Sequence, residues 1–306
     1  MELLPEEILD LISQYLGSDN FNLSRTSTIF NRIAKHVSKE EYEKYLFQSG
    51  DLPMILRHNL PFNEANTRLA VCEGHLTILN IAFKRGLKLT PTLCNAAAAG
   101  GHINILTWLK ENNATFDITT IAFAAREGKL DVVKWLRSIN CPWDNTTFSY
   151  AVSNGHMEVV TWLLQNNAPL DDNACSIAAY SGHLTLLKFL YHNNFPLREW
   201  ICSSAAQNGH TEIIKWARER NCPWSERTCA YAAANGHLKT LKWLHANGCP
   251  WDVWTCAEAA HSGHLEIIIW ARENNCPWDI NTYLFALSSG KREVLNWLST
   301  YRRPNL

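Results

Sequence analysis

The chain has 306 residues, more than a single compact core usually holds, so we expect several domains or a repetitive array. Its apolar content of 46% is that of a globular protein, and its formal net charge of −1 excludes the basic excess that a nucleic-acid partner requires. The acidic start, residues 1–7, does not fit a signal peptide, and no apolar run approaches the ~20 residues of a membrane span. We therefore expect an intracellular protein without a membrane partner, whose ten cysteines stay reduced.

Residues 1–46 predict short helices. Leu4, Ile8 and Leu11 recur at helical spacing, and Pro5 suits a first helical turn. The segment resembles the F-box, which starts Leu-Pro-x-Glu-Ile/Leu and later carries a Thr/Val-Cys/Ser-x-x-Phe/Trp piece, matched here by TSTIFN at residues 26–31. We read it as an F-box-like three-helix segment.

This resemblance implies docking to a Skp-type adaptor of a cullin–RING ubiquitin ligase. By the same resemblance, the adaptor interface would contain Leu4, Pro5, Ile8 and Leu9. The alternative is that these helices only close the end of the array that follows. Residues 47–62 then form a shortened capping repeat, which echoes the later units but lacks a turn.

A 27-residue period governs the rest of the chain. Nine units fill residues 63–305 without insertion or deletion, and each contains a Gly-His or Gly-Lys pair. An Ala-Ala pair commonly precedes this glycine, and a Trp commonly follows it by seven residues. The repeat glycines are Gly74, Gly101, Gly128, Gly155, Gly182, Gly209, Gly236, Gly263 and Gly290.

Each unit predicts two helices. In residues 225–251, apolar residues recur at helical spacing on both sides of Gly236, which suits the left-handed end of the first helix. Asn247-Gly248 then ends the second helix. Two short helices cannot bury a core alone, but stacked neighbours can, so we expect an α-solenoid.

The stretch AYAAANGHLKTLKWLHANG, residues 230–248, resembles the ankyrin repeat, whose pattern contains Ala-Ala, then Gly-His, then an apolar second helix ending in Asn-Gly. The resemblance implies an all-α solenoid of stacked ankyrin-like helix pairs. The unit is shorter than the usual ~33 residues, it lacks the Thr-Pro-Leu-His start, and the residues that would form the β-hairpin finger are missing. Units with a Cys-Pro-Trp-Asp connector are similar to those of large protein families in amoeba-infecting giant viruses. If the chain is viral, its cytoplasmic location is that of the host.

A column of N-cap residues takes the place of the finger. Short polar side chains that can cap a helix stand eleven residues before the glycine in eight of nine units. The preceding Trp should form a hydrophobic staple with the fourth helical residue, Trp251 with Cys256 and Trp224 with Cys229. The column contains Asn63, Thr90, Asp117, Asp144, Asp171, Arg198, Ser225, Asp252 and Asp279.

Histidines and cysteines are the candidates for chemistry. Seven of the twelve histidines follow the repeat glycine, but stacked helices lie ~8–10 Å apart, too far for one metal ion. We therefore interpret these histidines as turn residues that bond neighbouring backbone. The cysteines fall in two columns that read as buried apolar positions, without paired Cys-x-x-Cys spacing. We expect no catalytic residues, no metal and no cofactor, and hence no enzyme. A metal- or haem-dependent protein is a third functional hypothesis, beside a substrate receptor and a scaffold.

Binding positions are expected on the first helices. In ankyrin proteins the two residues before the glycine face the concave surface, and the first of them varies strongly here. Aromatic and Arg side chains on a rigid face are typical interface anchors. The alternative is that these positions vary only because they are exposed to solvent. The predicted target-binding residues are Arg126, Tyr180, Trp200, Gln207, Arg227, Trp254 and His261.

Together the two resemblances imply a non-catalytic substrate receptor that links an unknown target protein to the Skp/cullin ligase and is a monomer outside that complex. Such a receptor raises the effective concentration of the target near the ligase. The alternative is a stand-alone ankyrin scaffold that sequesters a host protein.

Overall fold

A computed structural model describes residues 39–300, so the predicted adaptor-binding residues Leu4, Pro5, Ile8 and Leu9 lie outside the described part of the chain. Between residues 39 and 300 all regular structure is helical, in twenty helices and no strand. The predicted all-α fold without β-hairpin fingers is therefore confirmed over these residues. The described residues divide into two compact units, residues 39–88 and 89–300.

The first unit contains two helix pairs around the buried side chains of Phe47, Ile55 and Ile78. Gly50, at a φ of +74°, separates the first pair, and the His75 Nε2–H donates to the Gln48 carbonyl at 2.7 Å. The first helix spans Lys39–Ser49, so it includes the predicted boundary between residues 46 and 47. The helices are α1 (Lys39–Ser49), α2 (Leu52–Arg57), α3 (Glu64–Cys72) and α4 (Leu76–Lys84).

The second unit contains eight helix pairs, in which first helices alternate with second helices. The first helices are α5 (Pro91–Gly100), α7 (Ile118–Arg126), α9 (Asn145–Ser153), α11 (Ala174–Tyr180), α13 (Trp200–Gln207), α15 (Glu226–Ala234), α17 (Val253–Ser262) and α19 (Ile280–Ser288). The second helices are α6 (Ile103–Glu111), α8 (Leu130–Ser138), α10 (Met157–Gln165), α12 (Leu184–His192), α14 (Thr211–Arg218), α16 (Leu238–Ala246), α18 (Leu265–Glu273) and α20 (Arg292–Thr300).

Both helices of a pair end on a left-handed residue. All nine repeat glycines have positive φ, as the period predicts. The second helices end the same way, mostly on Asn, which tolerates this conformation better than other side chains. These second-helix residues are Gly86, Asn113, Asn140, Asn167, Asn194, Asn221, Gly248 and Asn275.

Most first helices start at the predicted caps. The Asp117 and Asp252 carboxylates, for example, accept a backbone N–H two residues on, at 2.9 and 3.0 Å. In two repeats the first helix starts later than its predicted cap allows: α11 begins only at Ala174, although Asp171 still accepts the Asn173 N–H at 2.8 Å. In the next unit α13 starts after Glu199 without a side-chain cap, because Arg198 carries no acceptor.

Small buried residues hold the stack together. Each first helix packs against the next first helix and against its own second helix. The Ala-Ala columns, such as Ala205-Ala206 and Ala259-Ala260, are fully buried between neighbouring repeats. Their small side chains allow the backbones of neighbouring helices to approach closely. The close stacking of the repeats therefore requires Ala at these positions of the repeat pattern.

The Cys-Pro-Trp connectors are packing devices. The Cys222 thiol donates to the Arg198 carbonyl at 3.5 Å, which ties one connector to the start of its repeat. The Arg218 guanidinium donates to the Cys222 carbonyl at 2.7 Å and lies 4.2 Å from the centre of the Trp224 ring. Trp224 then meets Trp243 edge to face, with ring centres 6.2 Å apart.

A second connector uses a different partner for its Trp. His245 stacks on Trp251 with ring centres 4.0 Å apart, where other connectors use Arg. Trp251 also packs on the buried cluster that contains Cys256 and Cys276, which agrees with the predicted staple.

Candidate functional site: the first-helix face

The predicted target-binding residues lie along one side of the first helices. We call this side the first-helix face. Its exposed large side chains include Tyr150, Tyr180, Trp200, Tyr231 and Trp254, between 36% and 45% exposed. Of the tryptophans between residues 39 and 300, Trp200 and Trp254 are the exposed ones, and both lie on this face, so it is a candidate interface.

One column of this face has two roles. Arg126, Tyr180 and Gln207 each stand two residues before a repeat glycine, with side chains that are exposed or half-buried. Their backbone carbonyls accept the ring N–H of the histidine in the following unit, at 2.8, 3.1 and 3.1 Å. The backbone of the column therefore holds the stack, while its side chains are free to vary.

A second column contains Trp200, Arg227 and Trp254 on three consecutive first helices. The Arg227 guanidinium carbon lies 5.7 Å from the centre of the Trp200 ring, within the range of a cation–π contact. The structure thus brings together two residues that the sequence predicts separately, 27 positions apart.

Phe285 is part of the face but was missed by the sequence prediction. Its ring lies 5.8 Å from Trp254 and 5.8 Å from His261, so it joins these two predicted residues. Phe285 and Tyr231 belong to a column four residues after the Trp200 column. Helical spacing would have placed that column on the same face.

The seven predicted residues do not form one cluster. Arg126 belongs to α7, where it contacts Phe123 at 4.8 Å and pairs with Glu127 at 2.8 Å. Trp200, Arg227, Trp254 and His261 lie on α13, α15 and α17. The site is therefore an extended row across several helices, which suits a macromolecular partner better than a small molecule.

The repeat histidines are structural, as predicted. The His183 and His210 Nε2–H groups donate to the carbonyls of Ser153 and Tyr180, thirty residues earlier, at 3.0 and 3.1 Å. Burial lowers the pKa of His210, and the neighbouring His183 and His237 lower it further, while the bond to the Tyr180 carbonyl opposes the shift. Within residues 39–300, no group of three His, Cys, Asp or Glu side chains could hold a metal ion.

Most cysteines are buried, and burial raises the pKa of several of them. Nine of the ten are buried, and Cys72 is half-buried. Burial raises the pKa of Cys94 and of Cys175 to about 12, and that of Cys141 to about 11. A thiol with so high a pKa is a poor nucleophile at neutral pH.

None of the helices between residues 39 and 300 is long and apolar enough to cross a membrane.

The repeats are similar to those of known proteins. Residues 93–174 and 121–199 match a family model described as ankyrin repeats (3 copies), and residues 229–272 match one described as ankyrin repeats (many copies). These segments are ankyrin repeats. No curated protein matches the chain. Among solved structures, the chain is similar to the crystal structure of the human ASB11 ankyrin repeat domain. The identity is 18%, over 50% of this chain and 82% of that chain, with a TM-score of 0.41.

Ankyrin repeats indicate a protein-interaction scaffold, which implies a protein partner for these segments. In the ankyrin repeats described here the candidate partner surface is the first-helix face.

Proposed function

We propose that the chain is a non-catalytic substrate receptor, which binds a target protein on the first-helix face and a Skp-type adaptor through residues 4–34. The observation that carries the target half is the row of exposed aromatic and Arg side chains on otherwise uniform first helices. Trp200 and Trp254 are 44% and 45% exposed, whereas Cys202 and Cys256, two residues later, are fully buried. A rigid array with a variable face can evolve a new partner without changing its core.

The adaptor half is supported by the F-box resemblance alone. It assigns the adaptor contacts to Leu4, Pro5, Ile8 and Leu9. The receptor would have no active site of its own and would act by holding the target near the ligase.

Two variants of the full chain test the two halves separately. Proximity labelling in cells first identifies the proteins near the wild-type chain, and co-precipitation then measures each of them. Leu4→Asp/Pro5→Ala should lose the adaptor and keep the target, whereas Trp200→Ala/Trp254→Ala should lose the target and keep the adaptor.

The second candidate function is a stand-alone ankyrin scaffold that sequesters its partner. It is favoured if Leu4→Asp/Pro5→Ala recovers as much Skp-type adaptor as the wild type, because the adaptor half of the proposal is then wrong. Equal recovery of every labelled protein by Trp200→Ala/Trp254→Ala would refute the target half.

A further inference from the structure

The last four first helices carry a continuous aromatic strip. We use this name for Trp200, Arg227, Tyr231, Trp254 and Phe285, on α13, α15, α17 and α19. Arg227 covers one face of the Trp200 ring, and Phe285 packs against Trp254. These contacts hold both indoles in place, although the two side chains are almost half exposed. Rigid, exposed indoles bind a partner at a low cost in side-chain entropy.

Carboxylates accompany the strip. Glu199 and Glu226 are exposed and directly precede Trp200 and Arg227 in the chain, and Glu258 follows Trp254 by one helical turn. None of the three forms an ion pair with another residue in the described range. Two of them stand at helix starts, where the helix dipole favours a carboxylate, but their charge stays unneutralised by a cation.

The strip has therefore an excess of negative charge. Of the nearby cations, Arg198 pairs with Asp172 at 3.1 Å, and Arg227 covers Trp200. The carboxylates of Glu199, Glu226 and Glu258 outnumber the remaining cation, Arg227. Charge complementarity then favours a partner segment with Lys or Arg side chains, which can also contact the indole faces.

The spacing of the helices selects the conformation of that segment. Packed helix axes lie ~8–10 Å apart. A polyproline II chain has three residues per turn and a rise of about 3.1 Å, hence about 9.3 Å per turn. Such a chain, lying across the first helices, presents an equivalent side chain to each successive repeat at every third residue. A β-strand cannot do so, because residues three apart point to opposite faces.

We propose that the aromatic strip binds a proline-rich segment of the target protein in the polyproline II conformation, with Lys or Arg at every third residue. Prolines lie on the exposed faces of Trp200 and Trp254, as in other aromatic-lined polyproline sites, and the cations face Glu199, Glu226 and Glu258. This inference rests on the proposed function, because it takes the first-helix face to be the target site.

Labelled synthetic peptides test the proposal against the full chain by fluorescence anisotropy. (Pro-Pro-Arg)4 should bind saturably and more weakly as salt rises from about 50 to about 500 mM, since exposed charges are screened. A peptide of the same composition, with its arginines alternately two and four residues apart, should bind at least ~10-fold more weakly, because it misses the repeat period. (Pro-Pro-Glu)4 should not bind.

Substitutions then locate the site. Trp200→Ala or Trp254→Ala should weaken (Pro-Pro-Arg)4 binding by roughly 5- to 50-fold, as loss of an aromatic anchor does. Glu199→Gln/Glu226→Gln/Glu258→Gln should weaken it and flatten its salt dependence. The control is Leu170→Ala, which removes an equally exposed apolar side chain (46%) that precedes the cap of its repeat. Circular dichroism melting checks that each variant folds.

Three outcomes would overturn the proposal: equal affinity for the two arginine spacings, binding of (Pro-Pro-Glu)4, or binding only of an amphipathic helical peptide made of Lys and Leu. The result is separable from the proposed function. If Trp200→Ala/Trp254→Ala still loses the cellular target but the wild type binds no (Pro-Pro-Arg)4, the face is the target site and the peptide chemistry assigned here is wrong.

Discussion

At the residue scale, the repeat glycines meet two separate demands. Gly182 has a φ of +85°, and a Cβ there would lie 2.6 Å from the His210 ring of the next repeat. Gly248 has a similar φ of +78°, but a Cβ there would meet nothing within 4 Å. The first glycine is therefore required by backbone conformation and by close approach, the second by conformation alone.

This difference predicts the stability of three variants. Gly182→Ala should lower the free energy of unfolding by about 2–4 kcal/mol, because left-handed strain and displacement of the His210 ring add. Gly248→Ala should cost about 1–2 kcal/mol, from the strain alone. Gly248→Asn should be nearly neutral, since Asn fills the same column in other repeats. Urea denaturation measures all three, and equal losses for the two alanine variants would contradict the role given to His210.

The pKa of His210 predicts a direction of pH dependence. Because burial and the neighbouring His183 and His237 lower this pKa in the folded state, folding favours the neutral ring. The contribution of His210 to the free energy of unfolding is fully present above the unfolded pKa of about 6.5. It is lost as the pH falls below that value and through the lower folded pKa. Thermal melts between about pH 7.5 and 5 should therefore show a falling melting temperature. His210→Asn should reduce that slope, and an unchanged slope would show that His210 is not responsible.

At the element scale, the connector and the first helix use tryptophan in opposite ways. Trp251 lies between His245 at 4.0 Å and Trp270 at 5.7 Å and packs on the Cys256 cluster. Trp254, three residues later, is 45% exposed. The short connector therefore replaces the finger with packed aromatic rings, and the helix that it caps presents its Trp to solvent.

The two tryptophans give a matched pair of variants. Trp251→Ala should lower the free energy of unfolding by about 2–4 kcal/mol, since it empties an aromatic contact in the stack. Trp254→Ala should change it by less than about 1 kcal/mol. Chemical denaturation checks both values. A larger loss for Trp254→Ala than for Trp251→Ala would reverse the roles assigned to the connector and the face.

At the scale of the whole molecule, burial of the thiols reports on the integrity of the stack. Six of its repeats contain buried cysteines, and burial holds the pKa of Cys94 and Cys175 at about 12. A thiol reagent reaches such groups only when repeats separate or open locally.

We therefore expect a simple thiol count. The native chain at neutral pH should react rapidly with an aromatic disulfide reagent at no more than one cysteine, the half-buried Cys72, and at all ten after unfolding in guanidinium. Cys72→Ser should remove the rapid phase and leave nine thiols in the unfolded chain. Rapid reaction of several cysteines in the native Cys72→Ser chain would show that the repeats open readily.

The sequence by itself determined the 27-residue period, the two helices per unit, their left-handed ends and most of the caps. These features depend on interactions within a few residues: Gly236 tolerates positive φ, and Asp252 reaches an N–H two positions on. The late start of α11 and the uncapped start of α13 also depend on local interactions. The sequence already indicated the uncapped start of α13, because Arg198 stands at its predicted cap position.

Only the tertiary structure decided which side chains meet across repeats. Arg227 covers Trp200 from 27 residues away, and Phe285 joins Trp254 to His261. The pattern of one unit fixes which face each side chain occupies but not the offset between neighbouring units, and that offset decides these contacts. The same offset explains why the predicted site residues form a row that contains one aromatic strip. Only the packing of successive first helices brings the aromatic columns side by side.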